Sequence, residues 1–234
     1  MVHSSPAVTT LTGEEPALQA VLLDMDGTLV DTEDFWWDAE VEVFAELGHQ
    51  LRDEWRQVVV GGPMSRSAGF LIEATACDIA LEELSVLLNA KFVERLERGV
   101  PLMPGARRLL AELAAHRIPA ALVSASHRAV VDRMLAWIGP ENFACTIAGD
   151  ELARTKPHPD PYLTAARRLK ADPARCAVVE DTATGVAAAE AAGCQVVVAV
   201  PSVSPIEAKS GRTIVSSLEE VDLELLRSLI MVAR

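Results

Sequence analysis

The chain has 234 residues, half of them hydrophobic and 4% aromatic, with 34 acidic against 21 basic side chains and a formal net charge of -13. That length holds one sizeable domain, or a domain with a smaller insert, without covalent staples. The acidic balance argues against a nucleic-acid partner, because proteins that grip a phosphate backbone present a basic face. Abundant Ala, Val and Leu with few aromatics suit a helix-rich α/β protein better than a β-sandwich.

Residues 1–16 contain Ser, Thr, Pro and Glu but no basic segment followed by an apolar one, and read as a flexible tail rather than a signal peptide. No later stretch reaches membrane-spanning length. Cys77, Cys145, Cys176 and Cys194 are scattered without a CxxC pair, which points to free thiols in a reducing compartment. The expectation is a soluble, cytoplasmic protein with no membrane partner, a monomer or else a homodimer.

From Val21 an apolar run ends in Asp24-Met25-Asp26-Gly27-Thr28. A buried parallel strand with charge at its tip is where open α/β sheets place their chemistry. Gly27 permits a bend that turns both carboxylates toward one point. Such a pair needs a cation or a shared proton; the bland alternative is that Asp24 caps a turn and Asp26 a helix. Thr32 or Asp34 can cap the helix that follows, which runs through Phe35, Ala39, Val43 and Leu47 and stops at Gly48. Trp36 and Trp37 near its start serve core packing or stack on a ligand.

From Arg52 to Gly99 helical patterns (Ser65 to Ala76, Leu81 to Arg98) surround a Gly61-Gly62-Pro63 break, with no strand-like run. This is the signature of an inserted helical block. The expected division is a tail at 1–16, an α/β core at 17–34 and 104–234, and a helical cap at 35–103, with hinges at Asp31 to Phe35 and Gly99 to Gly105.

Strands and helices alternate after Gly105. Strands are predicted at Ile118 to Val123, Cys145 to Ala148, Cys176 to Val179 and, last, Gln195 to Val200, and a C-terminal helix around Leu223 to Ile230. The pattern predicts a Rossmann-like, doubly wound parallel sheet with helices on both faces. Polar tips recur: Ser124 after the second strand, Lys156 in the loop Thr155-Lys156-Pro157, and Glu180-Asp181 after the fourth. In a parallel sheet all of them converge on one edge. Several carboxylates there make a hard-cation site, with Mg²⁺ the best match. A lysine and a hydroxyl beside them suit a transferring phosphoryl group, whose chemistry depends on positioning and charge stabilisation.

Taken together, Asp24-Met25-Asp26-Gly27-Thr28, Ser124, Thr155-Lys156-Pro157 and Glu180-Asp181 resemble the four motifs of the haloacid dehalogenase superfamily, in order and spacing. The resemblance implies Asp24 as a nucleophile that forms an aspartyl-phosphate, and Asp26 as general acid and then general base. It implies Ser124 and Lys156 as phosphate ligands. Mg²⁺ would be held by the Asp24 side chain, the Asp26 backbone carbonyl and Asp181, with Glu180 a direct or water-mediated ligand. The helical block resembles the small cap of the β-phosphoglucomutase and sugar-phosphate phosphatase branch. Mutases of that branch carry a histidine where this chain has Trp36, which favours water as the acceptor. The expected activity is therefore Mg²⁺-dependent hydrolysis of a small phosphorylated metabolite, such as a sugar phosphate. The rivals are a phosphomutase and a non-catalytic binding protein. Arg66 is a candidate contact for the far end of the substrate, or else a solvated arginine. Trp36 and Trp37 stack on a sugar or close the hinge. Lys91 is the only lysine of the cap and sits deep in a helical pattern, which makes a Schiff-base role weak. His127 reads as structural or a helix start, and His158 as a loop residue facing solvent or ligand.

Overall fold

The computed structural model describes residues 18–59, 64–96, 99–202 and 204–232. The expected tail at 1–16 and the Gly61-Gly62-Pro63 break lie outside the described residues. Strands β1 (Ala20–Leu23), β2 (Ala120–Val123), β3 (Cys145–Ile147), β4 (Cys176–Glu180), β5 (Val196–Ala199) and β6 (Arg212–Ile214) form one sheet in the order β3-β2-β1-β4-β5-β6. Every neighbouring pair is parallel.

β1 shows why the sequence takes this form. All four of its residues are buried, and the two-residue period of a strand divides them. Val21 and Leu23 enter the apolar cluster on one face, Ala20 and Leu22 that on the other. A strand apolar on both sides is stable only where helices cover both faces. Helices α5 (Ala106–Ala115), α6 (Arg128–Ile138) and α9 (Leu223–Val232) cover the first face through side chains such as Leu109, Met134 and Leu226. Helices α7 (Asp160–Leu169) and α8 (Ala183–Ala191) cover the second through Tyr162, Ala165 and Val186.

Gln195 to Val200 is not the last strand. β6 adds three residues beyond it, pairing Thr213 with Val198 at the sheet edge. Arg212-Thr213-Ile214 is half polar and only partly buried, so no apolar run marks it.

Between β1 and β2 stand α1 (Glu33–Glu46), α2 (Arg56–Val59), α3 (Met64–Thr75) and α4 (Leu81–Leu96). Leu84, Leu88, Phe92 and Leu96 recur every four residues along α4 and are buried as one stripe. The near end of that stripe belongs to a separate cluster with Trp37, Phe44 and Leu71, while Phe92 and Leu96 join the main core. Charged rows flank the seam between α1 and α4: Lys91 pairs with Glu42 and Glu46 at 2.8 Å each, and Arg95 with Asp38 and Glu42.

The chain enters and leaves this block through one short ribbon. Val30 bridges Leu102 in antiparallel fashion, Asp31 N–H donates to Pro101 O, and Met103 N–H donates to Leu29 O, both at 2.9 Å. Among the described residues no helix is long and apolar enough to cross a membrane, and the four cysteines are free.

Candidate active site

β1 and β4 are hydrogen-bonded neighbours, although the helical block and two other strands separate them in the chain. The strand order reverses there, so the connections beyond their carboxyl ends diverge and leave a crevice. Asp24 follows β1 directly, and its N–H continues the ladder by donating to Val179 O at 3.1 Å. Glu180 ends β4, Asp181 follows it, and Ser124 follows β2. Lys156 comes from the loop before α7. Five residues singled out by motif, Asp24, Ser124, Lys156, Glu180 and Asp181, thus lie buried at one sheet edge.

Lys156 is the hub. Its Nζ donates to Asp24 Oδ1 at 2.5 Å, Glu180 Oε1 at 2.6 Å and Val123 O at 2.8 Å, which uses all three ammonium protons. Burial opposes the charge on Lys156, but Asp24 and Glu180 more than offset it and hold its pKa above the ordinary lysine value. Glu180 is engaged on both oxygens. Oε1 also accepts from the fully buried Tyr162 hydroxyl at 2.5 Å, and Oε2 from the Thr182 hydroxyl at 3.2 Å. Asp181 accepts from Thr28 at 3.3 Å and Ser202 at 2.6 Å.

Two glycines make room for these carboxylates. A Cβ on Gly185 would stand 1.9 Å from Glu180 Oε1, and one on Gly27 would stand 2.1 Å from Asp181 Oδ2. Gly27 also has φ +77°, which side-chain-bearing residues rarely adopt.

One ammonium does not balance three carboxylates. Burial, with the Glu180 charge behind it, pushes the Asp24 carboxyl up to about 7 against the pull of Lys156. Burial and the charges of Asp24 and Glu180 likewise push Asp181 well above the carboxylate range. Asp24, Glu180 and Asp181 each offer an oxygen within 4.8 Å of the others. An all-oxygen, electron-rich donor set of this kind fits a small divalent cation such as Mg²⁺.

Asp26 has different company. Its Oδ1 accepts from Thr32 at 3.0 Å, and its Oδ2 from Ser126 at 2.8 Å and Ser124 at 3.2 Å. Burial raises its pKa, and those three hydroxyls pull the other way. The Thr32 hydroxyl is therefore turned to Asp26 and makes no cap bond, although Thr32 stands at the N-cap of α1.

A family model of haloacid dehalogenase-like hydrolases matches residues 18–193, the span that carries all of these groups but Ser202. The chain belongs to this family. It is 33% identical over 209 residues to the bifunctional riboflavin kinase/FMN phosphatase of Arabidopsis thaliana, covering 87% of this chain and about half, 54%, of that protein. It is 28% identical to the phosphorylated carbohydrates phosphatase of Thermotoga maritima, covering 76% of this chain and 83% of that one. The CbbY protein of Rhodobacter sphaeroides, solved in complex with xylulose-1,5-bisphosphate, superposes with a TM-score of 0.78 at 27% identity, over 89% of this chain and 99% of that one.

Within this haloacid dehalogenase-like frame the remaining expected residues fall elsewhere. Trp36 stacks on Phe92 of α4, with ring centroids 3.7 Å apart and planes 10° from parallel. Arg66 lies exposed on α3, outside the carboxylate cluster. Lys91 is committed to its ion pairs with Glu42 and Glu46. His127 is the N-cap residue of α6, and His158 turns back to accept from the Asp160 N–H at 3.3 Å. Motif reading gave no role to Thr28, Ser126, Tyr162, Thr182 or Ser202 and took Thr32 for a helix cap, although these hydroxyls hold the carboxylates. Thr28, inside the first motif, and Ser126, two residues after Ser124, are the ones whose positions offered a signal.

Proposed function

We propose that this protein hydrolyses a small phosphorylated metabolite, with a sugar phosphate as the best match, through an aspartyl-phosphate on Asp24. The observation that carries the reading is the division of partners between the two carboxylates at the tip of β1. Asp24 is paired with an ammonium at 2.5 Å, whereas Asp26 receives hydroxyl hydrogen bonds only. Unlike environments of this kind sort a carboxylate pair into a nucleophile and an acid.

In the first half-reaction an Asp24 oxygen attacks phosphorus, the bond from phosphorus to the ester oxygen breaks, and Asp26 gives its proton to the departing alcohol. In the second, Asp26 takes a proton from water, the water oxygen attacks phosphorus, and Asp24 leaves as a carboxylate with release of phosphate. The raised pKa of Asp26 suits a group that begins protonated. Lys156 and Ser124 are the phosphate ligands, and Lys156 also offsets charge on Asp24.

Asp24, Asp181 and the Asp26 carbonyl would hold Mg²⁺, with Glu180 direct or through water. Bound there, the cation would neutralise phosphoryl charge and lower the pKa of Asp24. Water is the acceptor in this reading. Trp36, stacked on Phe92, carries no group that could take a proton from a second sugar hydroxyl. The helical block 35–103 acts as the cap over this edge. The Thermotoga maritima relative and the xylulose-1,5-bisphosphate complex support a phosphorylated carbohydrate as the substrate class.

Phosphate release from a panel of phosphorylated metabolites, with and without Mg²⁺, tests the proposal. Release that needs Mg²⁺ and falls by about a thousandfold or more in Asp24→Asn is expected. No release from any substrate, or turnover that survives Asp24→Asn, overturns it.

A further inference from the structure

Glu40 of α1 has no part in the cluster just described. Its side chain lies in the buried face of the helix at 5% exposure, and among the described residues no hydrogen-bond partner reaches its Oε2. Buried polar groups are rarely left so, because an unsatisfied one costs about 1–3 kcal/mol. The block's cations make no ion pair with it: Lys91 and Arg95 pair with Asp38, Glu42 and Glu46, and the buried Nε of Arg95 is itself without a hydrogen-bond partner among the described residues. Burial alone pushes its carboxyl up to about 8, with no neighbouring charge to offset it.

Its position on the helix gives this orphan a direction. Thr32, Trp36 and Glu40 follow one another at four-residue steps and so share one stripe. The stripe begins at the Thr32 hydroxyl, 3.0 Å from Asp26 Oδ1. It ends at Glu40 roughly 12 Å further along the helix axis, with the side chain leaning back toward the helix start. Around Glu40 the helix changes allegiance: Trp36 packs against the main core, while Trp37, Val43 and Phe44 belong to the block's own cluster. Glu40 thus stands where α1 passes from one apolar body to the other, on the helix that follows Asp26.

We propose that Glu40 reads the non-phosphorylated end of the substrate, taking as its missing partner a hydroxyl group of a polyol or sugar phosphate. A hydroxyl both donates and accepts, as a protonated carboxyl does, whereas an amine would demand the ionised form in an apolar seam. The inference rests on the phosphatase reading of the Asp24 site.

The test uses the full chain with Mg²⁺, sorbitol 6-phosphate as the hydroxylated substrate and para-nitrophenyl phosphate as one without hydroxyls. Glu40→Leu is expected to lose about tenfold in kcat/KM on sorbitol 6-phosphate, chiefly through KM, and to keep its rate on para-nitrophenyl phosphate. Glu40→Gln, whose amide still donates and accepts, should retain much of the discrimination, and Glu40→Ala carries the expectation of the leucine variant if that variant does not fold. Equal losses on both substrates, or none on either, overturn the proposal. So does a wild type that cleaves para-nitrophenyl phosphate but not sorbitol 6-phosphate, or one that prefers glucosamine 6-phosphate to glucose 6-phosphate through Glu40. Absence of release from every substrate overturns the phosphatase reading instead.

Discussion

The sheet edge and the helical block treat buried charge in opposite ways. At the edge, Asp24, Asp26, Glu180 and Asp181 all have hydrogen-bond donors, supplied from loops as far apart as Thr28 and Ser202. In the block, charge is kept in half-buried rows between α1 and α4, and two buried polar atoms there, Glu40 Oε2 and Arg95 Nε, have no hydrogen-bond partner among the described residues. A site that must hold several carboxylates close together needs donors fixed in advance, or it would protonate or fall apart. A surface that meets a variable organic group can leave one position unfilled until the ligand arrives.

The strongest way to break this contrast is to empty the hub at the edge. Lys156→Met removes the ammonium shared by Asp24 and Glu180 and leaves them facing each other. A loss of about 3–5 kcal/mol in unfolding free energy, read from urea midpoints near neutral pH, is expected together with loss of activity. Unchanged stability would show that the edge tolerates its carboxylates without the lysine. Next comes crowding. Gly185→Ala places a methyl where Glu180 Oε1 now lies, 1.9 Å away, so either the carboxylate or the first turn of α8 must shift. A lowered Tm and a weaker response to Mg²⁺ are expected, and a variant identical to wild type in both would refute the close approach.

The smallest effect sharpens the other half of the contrast. Folding raises the Glu40 carboxyl from its ordinary 4.5 to about 8. Between those values the folded protein holds a proton that the unfolded chain has released. Stability from this group is therefore lost as pH rises, and it is fullest below about 4.5. Asp24, Asp26 and Asp181 slope the same way, so the informative quantity is the difference between wild type and Glu40→Gln. From pH 5 to pH 8 wild type should lose up to about 3 kcal/mol more than the variant. Parallel curves would mean that Glu40 has found a partner in solution.

The same contrast governs what could be read from the chain. Asp24, Lys156 and Glu180 were legible because each ends an apolar run or stands at a fixed place in a loop, and parallel strands deliver such tips to one edge whatever lies between them. The hydroxyls were not. A serine or threonine in a loop has many local uses, and only the fold decides that Thr32 turns to Asp26 instead of capping α1. β6 was missed because an edge strand half exposed to solvent needs no apolar signature. Glu40 hides among Asp34, Asp38, Glu42 and Glu46, which read as a solvated face. Its register with Trp36, Val43 and Phe44 was the available sign, since those positions place it on the buried side.

The ribbon at Val30 and Leu102 carries a consequence of another kind. Because Asp31 and Pro101 are already joined by a hydrogen bond, residues 32–100 form an excursion whose two ends are held together at the sheet. Closing such an excursion depends only weakly on its length, each doubling costing about 0.6 kcal/mol. The segment between those two residues can therefore vary in length at little cost in closure. A shorter or longer insert could be spliced there while β1 stays paired with β2 and β4, provided that it keeps the Thr32 hydroxyl on Asp26 and an apolar surface where Phe92 and Leu96 meet the main core.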